Sequence, residues 1–342
     1  MAIQTQLSSS PVDVVGIGNA IVDILVQVQD YFLERHGLVK GTMTLVDQER
    51  VEAIQNDCDG TGIRTSGGSA ANTLAGLAQL GSQVEFVGRV RDDQLGMSFT
   101  HDIHAVGAHF NTPPIRGGAP TACCLILVTP DAQRTMCTFL GASVQLGLED
   151  LDFSIIRQTK VLYLEGYLWD SLTARCAFLE AARTCQESGG QVALSLSDTL
   201  CVSRHREEFQ DFISRSVDVL FANESEITTL YSCKDFESAL LQLKREKCYA
   251  VAALTRGNKG SVVLSKEQHW DICPYILGSL VDTTGAGDLY AGGFLHGYTN
   301  GLPFEQCGHL GSLCAGQIVT HLGSRSKTSL QGLVRHHLKW ES

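Results

Sequence analysis

Residues 281–293 read VDTTGAGDLYAGG, placing four glycines around a single carboxylate, Asp288. Glycine interrupts regular structure at an entropic cost, so a cluster of them marks a backbone that something approaches closely. The apolar lead-in ILGSLV (276–281) reads as a strand, and from Leu289 onward the pattern is helical, with Gly292 and Gly293 allowing close packing. Gly285, Ala286 and Gly287 then occupy a strand-to-helix junction, where unpaired N–H groups and the helix dipole attract an anion. Asp288, in the first turn, stands beside that anion, an electrostatically costly place for a carboxylate. A helix-start acid that merely favours the dipole is one account of it. The other is a base that takes a proton from a substrate hydroxyl while the turn amides hold the transferred phosphoryl group. The second accounts for both the anion hole and the acid, so the stretch points to phosphoryl transfer.

Outward from this turn, short apolar runs alternate with longer helical patterns. VDVVGIG (12–18), QVEFVG (83–88), VLYLEG (161–166), QVALSL (191–196), VDVLFA (217–222) and YAVAAL (249–254) read as buried parallel strands. Segments 67–80, 93–106, 171–187, 205–215 and 235–246 read as helices, and the region from about 286 to 321 is helical again. This alternation predicts an α/β fold with a mainly parallel sheet covered on both faces. Two regions break the rhythm. Residues 20–47 hold IVDILVQV and GTMTLVD, and residues 108–140 hold two apolar runs around a Pro-Asp turn, a hairpin signal. Together they predict a small antiparallel lid inserted into one domain spanning 1–342. Arg134 follows that turn, where it either swings toward phosphates on closure or stays solvated.

Composition narrows the field. The 342 residues carry a formal net charge of −11, which argues against a nucleic-acid partner. The 12 cysteines include no C-x-x-C pair, and the adjacent Cys123 and Cys124 sit in an apolar run, so a reduced cytoplasmic protein is expected. The N-terminal stretch lacks the basic and long apolar regions of a signal peptide, and no run reaches the ~18 apolar residues of a membrane span. His101 and His104 share a helix face without a third ligand nearby, so both are expected to sit solvated on the surface rather than hold zinc. No GxxxxGK[ST] and no protein-kinase catalytic loop occurs, which excludes both of those phosphate-handling classes.

The motif DTTGAGD (282–288) resembles the C-terminal signature of the pfkB-type carbohydrate kinases, the ribokinase-like family that includes adenosine kinases. Further landmarks follow in the family's order over roughly residues 12–325. GIGNAIVDI resembles the segment holding a substrate-binding acid, here Asp23, with Asn19 before it. GGSAANTLAGLAQLG (67–81) resembles the first signature, with Gly67, Gly68 and Asn72 at the acceptor; taken alone it would read as an ordinary helix capped by Ser66 or Ser69. VGRVRDDQLG departs from the pattern, since Arg91 replaces the more usual glycine. NESE (223–226) matches the N-x-x-E element associated with magnesium and phosphate, through Asn223 and Glu226. LTRGNKGSVV (254–263) resembles the nucleotide segment, with Thr255, Gly257 and Gly260.

The resemblance implies a ribokinase-like three-layer sandwich with a small β-strand lid, using ATP with Mg²⁺. It leaves open whether K⁺ also takes part and whether the chain acts as a monomer or a homodimer. Asn19 and Asp23, four apart, would share a face if extended and could bind vicinal hydroxyls together. Asn223 and Glu226, at i and i+3, offer hard oxygen ligands suited to Mg²⁺ through water. The diglycine segment reads GGSAAN rather than a lysine-containing version, which is closer to the adenosine-kinase-like branch. Adenosine is therefore the first expectation for the acceptor, with Phe139, Leu140, Tyr167 and Trp169 as candidates for a base slot. A free sugar or sugar acid is the alternative. A phosphorylated sugar would need a basic cluster such as Arg89 with Arg91. A non-catalytic sensor of the same fold is the remaining reading, and it would have no use for Asp288.

Overall fold

The computed structural model describes residues 12–58, 62–131, 133–246, 248–326 and 328–338. In chain order the strands are β1 (Val14–Ile17), β2 (Ile21–Gln27), β3 (Met43–Leu45), β4 (Ile63–Gly67), β5 (Val84–Val87), β6 (His109–Phe110) and β7 (Ala122–Val128). They continue as β8 (Arg134–Phe139), β9 (Val161–Glu165), β10 (Gln191–Ser195), β11 (Val219–Asn223), β12 (Val251–Thr255), β13 (Ser261–Ser265) and β14 (His269–Ile272). The α-helices are α1 (Asp30–Arg35), α2 (Gln48–Asn56), α3 (Ser69–Leu80), α4 (Gln94–Ala105), α5 (Phe153–Ile156), α6 (Leu172–Glu187) and α7 (Thr199–Arg204). After them come α8 (Arg206–Ser216), α9 (Glu224–Leu230), α10 (Phe236–Glu246), α11 (Ala286–Thr299), α12 (Phe304–Ile318) and α13 (Leu330–His337).

Nine strands form the central sheet, in the order β14-β13-β12-β11-β10-β9-β1-β5-β6. From β12 to β6 every pairing is parallel, and only the β12–β13 and β13–β14 pairings are antiparallel. Strand β9, VLYLE, is buried along its whole length because helices cover both faces. Val161 and Tyr163 pack into the core shared with α3 and α11, while Leu162 and Leu164 pack into the core of α6, α8 and α10. The result is a three-layer α/β sandwich of the ribokinase-like kind. Helix α11 lies against α3 and α12 at glycines: a Cβ at Gly292 would sit 2.9 Å from Thr73 O, and one at Gly293 2.6 Å from Leu310 O.

The second sheet has five strands, ordered β3-β8-β7-β2-β4. It is mixed rather than antiparallel, since β2 pairs with β7 and β3 with β8 in parallel. Its fifth strand, β4, lies outside the two expected lid segments, and within 108–120 the short β6 joins the central sheet instead. One face of β2 (Val22, Ile24, Val26) is buried in the core, leaving Asp23 and Leu25 on the other.

Two further local readings are corrected. The β13–β14 hairpin was not anticipated. The lead-in ILGSLV is no strand: Ile276 is 86% and Leu280 70% exposed, and this stretch joins no ladder. Apolar content alone suggested a strand there, but Ile276, Leu280 and Val281 face solvent.

Candidate active site

The parallel strands β1, β9, β11 and β12 all end at the same edge of the sheet, the edge where open α/β folds bind ligands. Asn19, Glu165, Asn223 and Thr255 stand at those ends. The diglycine turn and the glycine-rich turn before α11 bring α3 and α11 to this edge by their first turns.

Gly285 caps α11 in the left-handed conformation, with φ of 78°, and nothing lies within 4 Å of a Cβ built on exposed Gly287. The turn is thus open on the side an anion would approach. Asp288 is fixed by α3: Ser69 Oγ donates to Oδ1 at 2.6 Å and Asn72 Nδ2 to Oδ2 at 2.9 Å. Burial pushes the Asp288 carboxyl upward, opposed by those two donors and by the charge of Arg325. The serine cap of an ordinary helix does not form at Ser66 or Ser69: Gly68 is the N-cap of α3, and Ser69 serves Asp288.

Asp23 reaches the site from the lid sheet, paired in register with Thr65 and Cys124. A Cβ on Gly67 would lie 2.5 Å from Asp23 Oδ2, so this glycine makes room for the carboxylate. Burial pushes Asp23 up to about 7, with Arg325 and Arg134 opposing and Asp288 adding to the rise. The carboxylates of lid and body therefore share one electrostatic environment. Gly68 has φ of 97°, and a Cβ there would fall 2.1 Å from Asn19 O. Gly257, with φ of 58°, has nothing within 4 Å. Gly257→Ala should therefore cost only the left-handed backbone penalty of about 1–2 kcal/mol, whereas Gly68→Ala adds a backbone collision. The expected result is a clearly larger drop in melting temperature for Gly68→Ala. Equal drops would mean the Asn19 contact yields freely.

Asn19 does not share an extended face with Asp23, because it precedes β2. Its amide is turned to Glu165, with Nδ2 donating to Oε1 at 2.6 Å, and its Oδ1 is buried without a partner among the described residues. Glu165 also accepts from Ala70 N at 2.8 Å, and burial pushes it up to about 7. A charged residue ending the buried run VLYLE was a usable signal that sequence reading passed over.

Arg134 is neither solvated nor free. Its Nη1 pairs with Asp282 Oδ2 at 2.6 Å and lies 3.3 Å from Thr284 Oγ1, while its Nη2 is buried without a partner among the described residues. Asp282 also accepts from Thr284 Oγ1 at 2.8 Å and from Gly323 N at 2.9 Å. The lid is thereby tied to the glycine-rich turn through a residue of the DTTGAGD motif.

Asn223 and Glu226 form a capping box at the start of α9: Asn223 N donates to Glu226 Oε2 at 2.9 Å and Glu226 N to Asn223 Oδ1 at 2.8 Å. Asn223 Nδ2 also donates to Glu226 Oε1 at 2.7 Å, and burial pushes Glu226 up to about 7. Among the described residues no group of three or more His, Cys, Asp or Glu side chains could hold a metal ion. Beyond Thr255, Gly257 opens a 3₁₀ turn (257–259). Gly260 is explained by the hairpin, since a Cβ there would lie 2.0 Å from Ile272 O.

Other sequence candidates fall away. Trp169 is 2% exposed and packs on Phe209 and Phe212, so it offers no base slot; Tyr167, 42% exposed, remains available. Phe139 and Leu140 are half-buried. Arg89 is held by Glu149 and Asp150, so no basic cluster forms with Arg91. His101 is exposed beside Asp102, and His104 meets Phe110 O at 3.2 Å. No helix among the described residues is long and apolar enough to cross a membrane.

Residues 45–330 match the model of the pfkB family carbohydrate kinases. A solved adenosine kinase from Sinorhizobium meliloti is 46% identical, with a TM-score of 0.88 over 96% of this chain and 99% of its own. A probable sugar kinase from Rhizobium etli is 42% identical, with a TM-score of 0.88 over 96% and 99%. An uncharacterized sugar kinase from Archaeoglobus fulgidus is 24% identical over 260 residues, 73% of this chain and 96% of its own length. A signature turn with its half-buried acid, a lid that delivers a second acid, and matches spanning most of the chain lead to one assignment. The chain belongs to the pfkB family of carbohydrate kinases, ATP-dependent phosphotransferases, and resembles its adenosine-kinase-like branch.

Proposed function

We propose that this kinase phosphorylates the hydroxymethyl group of adenosine, giving AMP and ADP. The observation that carries the acceptor assignment is the register of the lid sheet. On the face that bears Asp23, Ile63, Leu25, Ile126, Met136 and Met43 align across the strands in one apolar row. The adjacent row runs Thr65, Asp23, Cys124, Thr138 and Leu45. A carboxylate for ribose hydroxyls beside an apolar strip suits a nucleoside, whose flat base covers more apolar area than the C–H face of a free sugar. Likeness to the S. meliloti adenosine kinase supports the same reading; likeness to the R. etli protein keeps a sugar kinase as the second. A panel of nucleosides and sugars with Mg-ATP, read by ADP release, decides between them. Turnover of a hexose or pentose with none of adenosine would overturn the nucleoside assignment.

In the mechanism, Asp288 accepts the proton of the acceptor hydroxyl as its oxygen bonds to the γ-phosphorus, and the bond to the ADP oxygen breaks. The backbone N–H groups of Gly285 and Gly287 hold the transferring oxygens; the Ala286 N–H, expected to join them, is instead donated to Thr283 O at 3.1 Å. Arg134, with its unpartnered Nη2, supplies further positive charge, and the lid excludes water. Thr255 and Gly257 line the nucleotide side.

Kinases of this family use Mg²⁺ with ATP, and Mg²⁺ neutralises phosphate charge. Because Asn223 and Glu226 are engaged with each other, they fit a magnesium that keeps its waters, not one bound directly. Glu226→Gln can preserve a capping box while removing the charge. It should raise the Mg²⁺ concentration needed for half-maximal activity and leave acceptor KM nearly unchanged. Superimposable Mg²⁺ titrations would make the pair purely structural. A cytoplasmic enzyme, acting as a monomer or a homodimer, completes the proposal.

A further inference from the structure

The loop after α12 reaches the site at three consecutive residues. Gly323 N donates to Asp282 at 2.9 Å, Ser324 Oγ to Asn72 Oδ1 at 3.1 Å, and Arg325 to the segment around the diglycine. The Arg325 side chain is half-buried, yet every hydrogen-bond acceptor it has among the described residues is a neutral oxygen. Nη1 donates to Ala71 O at 2.7 Å, Nε and Nη2 each to Ser66 O at 3.3 Å, and Nη2 to Ser66 Oγ at 3.1 Å. An arginine drawn this far out of water is ordinarily matched by a carboxylate in contact. Here no carboxylate lies within ion-pair distance among the described residues, and the charge acts instead on Asp23, Asp288 and Asp102. Asp102 belongs to the same frame, accepting from Ser66 N at 3.0 Å.

We propose that Arg325 is a positioning residue for phosphoryl transfer, clamping the diglycine strand end to the first turn of α3 and bringing one half-buried positive charge to bear on both site carboxylates. This rests on the reading of Asp288 as base. Burial pulls Arg325 down to about 10, so it stays protonated at neutral pH. Asp23 has a second cation, Arg134, whereas Arg325 is the cation acting on Asp288. The other groups sensing Asp288 are Asp23, Glu165, Tyr163 and Tyr167, and none of them offers positive charge. Without Arg325, the base would take up a proton at higher pH.

The test is the pH dependence of the single-turnover transfer rate in the parent, Arg325→Gln and Arg325→Lys, using Mg-ATP with adenosine or the acceptor the panel identifies. The glutamine variant should move the acid limb upward by about one pH unit or more. The lysine variant keeps the charge but loses the fork, so its rate should fall while its limb stays within about half a unit of the parent. A glutamine limb that coincides with the parent's, or equal shifts in both variants, overturns the proposal. Should Arg325→Gln fail to fold, the lysine variant decides: an unmoved limb supports the charge role, and a shift of about a unit or more overturns it. Failure of the base reading shows separately, as turnover retained by Asp288→Asn.

Discussion

Asp288→Asn is expected to lower kcat by about 10²-fold or more, since a positioned general base typically supplies ~10²–10⁴. The substitution is nearly isosteric, and Ser69 Oγ can still donate to the amide oxygen. What disappears is the site that receives the acceptor's proton. ATP affinity, set by the turn amides and the nucleotide side, should change far less. Calorimetric ATP titration together with single-turnover transfer separates the two effects. A variant retaining half the parent's turnover would sink the base assignment and leave Asp288 as a helix-start acid braced by Ser69 and Asn72.

Most of the fold was legible because its signals are local. Buried runs such as VLYLE read as strands, and Gly292 and Gly293 read as packing positions. The lid was half legible. The β7–β8 hairpin announces itself by its Pro-Asp turn, but β4 pairs with β2 through contacts that no local pattern encodes, and IRTSG lacks a strand-like apolar run. The site divides in the same way. Asp288, Asn72, Asp23 and the glycines sit in motifs whose spacing is informative. Asp282 stood inside the quoted motif unread, because its role depends on Arg134, 148 positions earlier in the chain. Arg325 lies in a polar turn, GSRSK, that carries no signal of burial. Trp169 failed oppositely: an aromatic after a strand suits a base slot or a core equally, and its neighbours Phe209 and Phe212 settle it.

Asp23→Ala should raise the acceptor KM at least tenfold. Each charged hydrogen bond lost costs about 1.5–3 kcal/mol, and tenfold requires about 1.4 kcal/mol. The residue's ionisation makes the prediction sharper. With Asp23 held up to about 7 by burial, it is neutral below that pH and a two-oxygen anionic acceptor above it. Parent KM for the acceptor should therefore fall as pH rises through about 7, and the alanine variant should lose that dependence. Adenosine and 2′-deoxyadenosine add a second readout: a carboxylate accepting from both ribose hydroxyls discriminates against the deoxy form, and the variant should not. Stability separates lost function from lost fold. A carboxyl whose folded pKa exceeds its unfolded value contributes stability below the unfolded value, and that contribution is lost as pH rises through the folded one. The window here runs from 3.8 to about 7. Asp23→Asn removes this titration, so the ligand-free variant should melt no lower than the parent at pH 8. A KM for the true acceptor that Asp23→Ala leaves unmoved would place the acceptor site elsewhere, and a variant that melts far below the parent at pH 8 would make Asp23 a structural group.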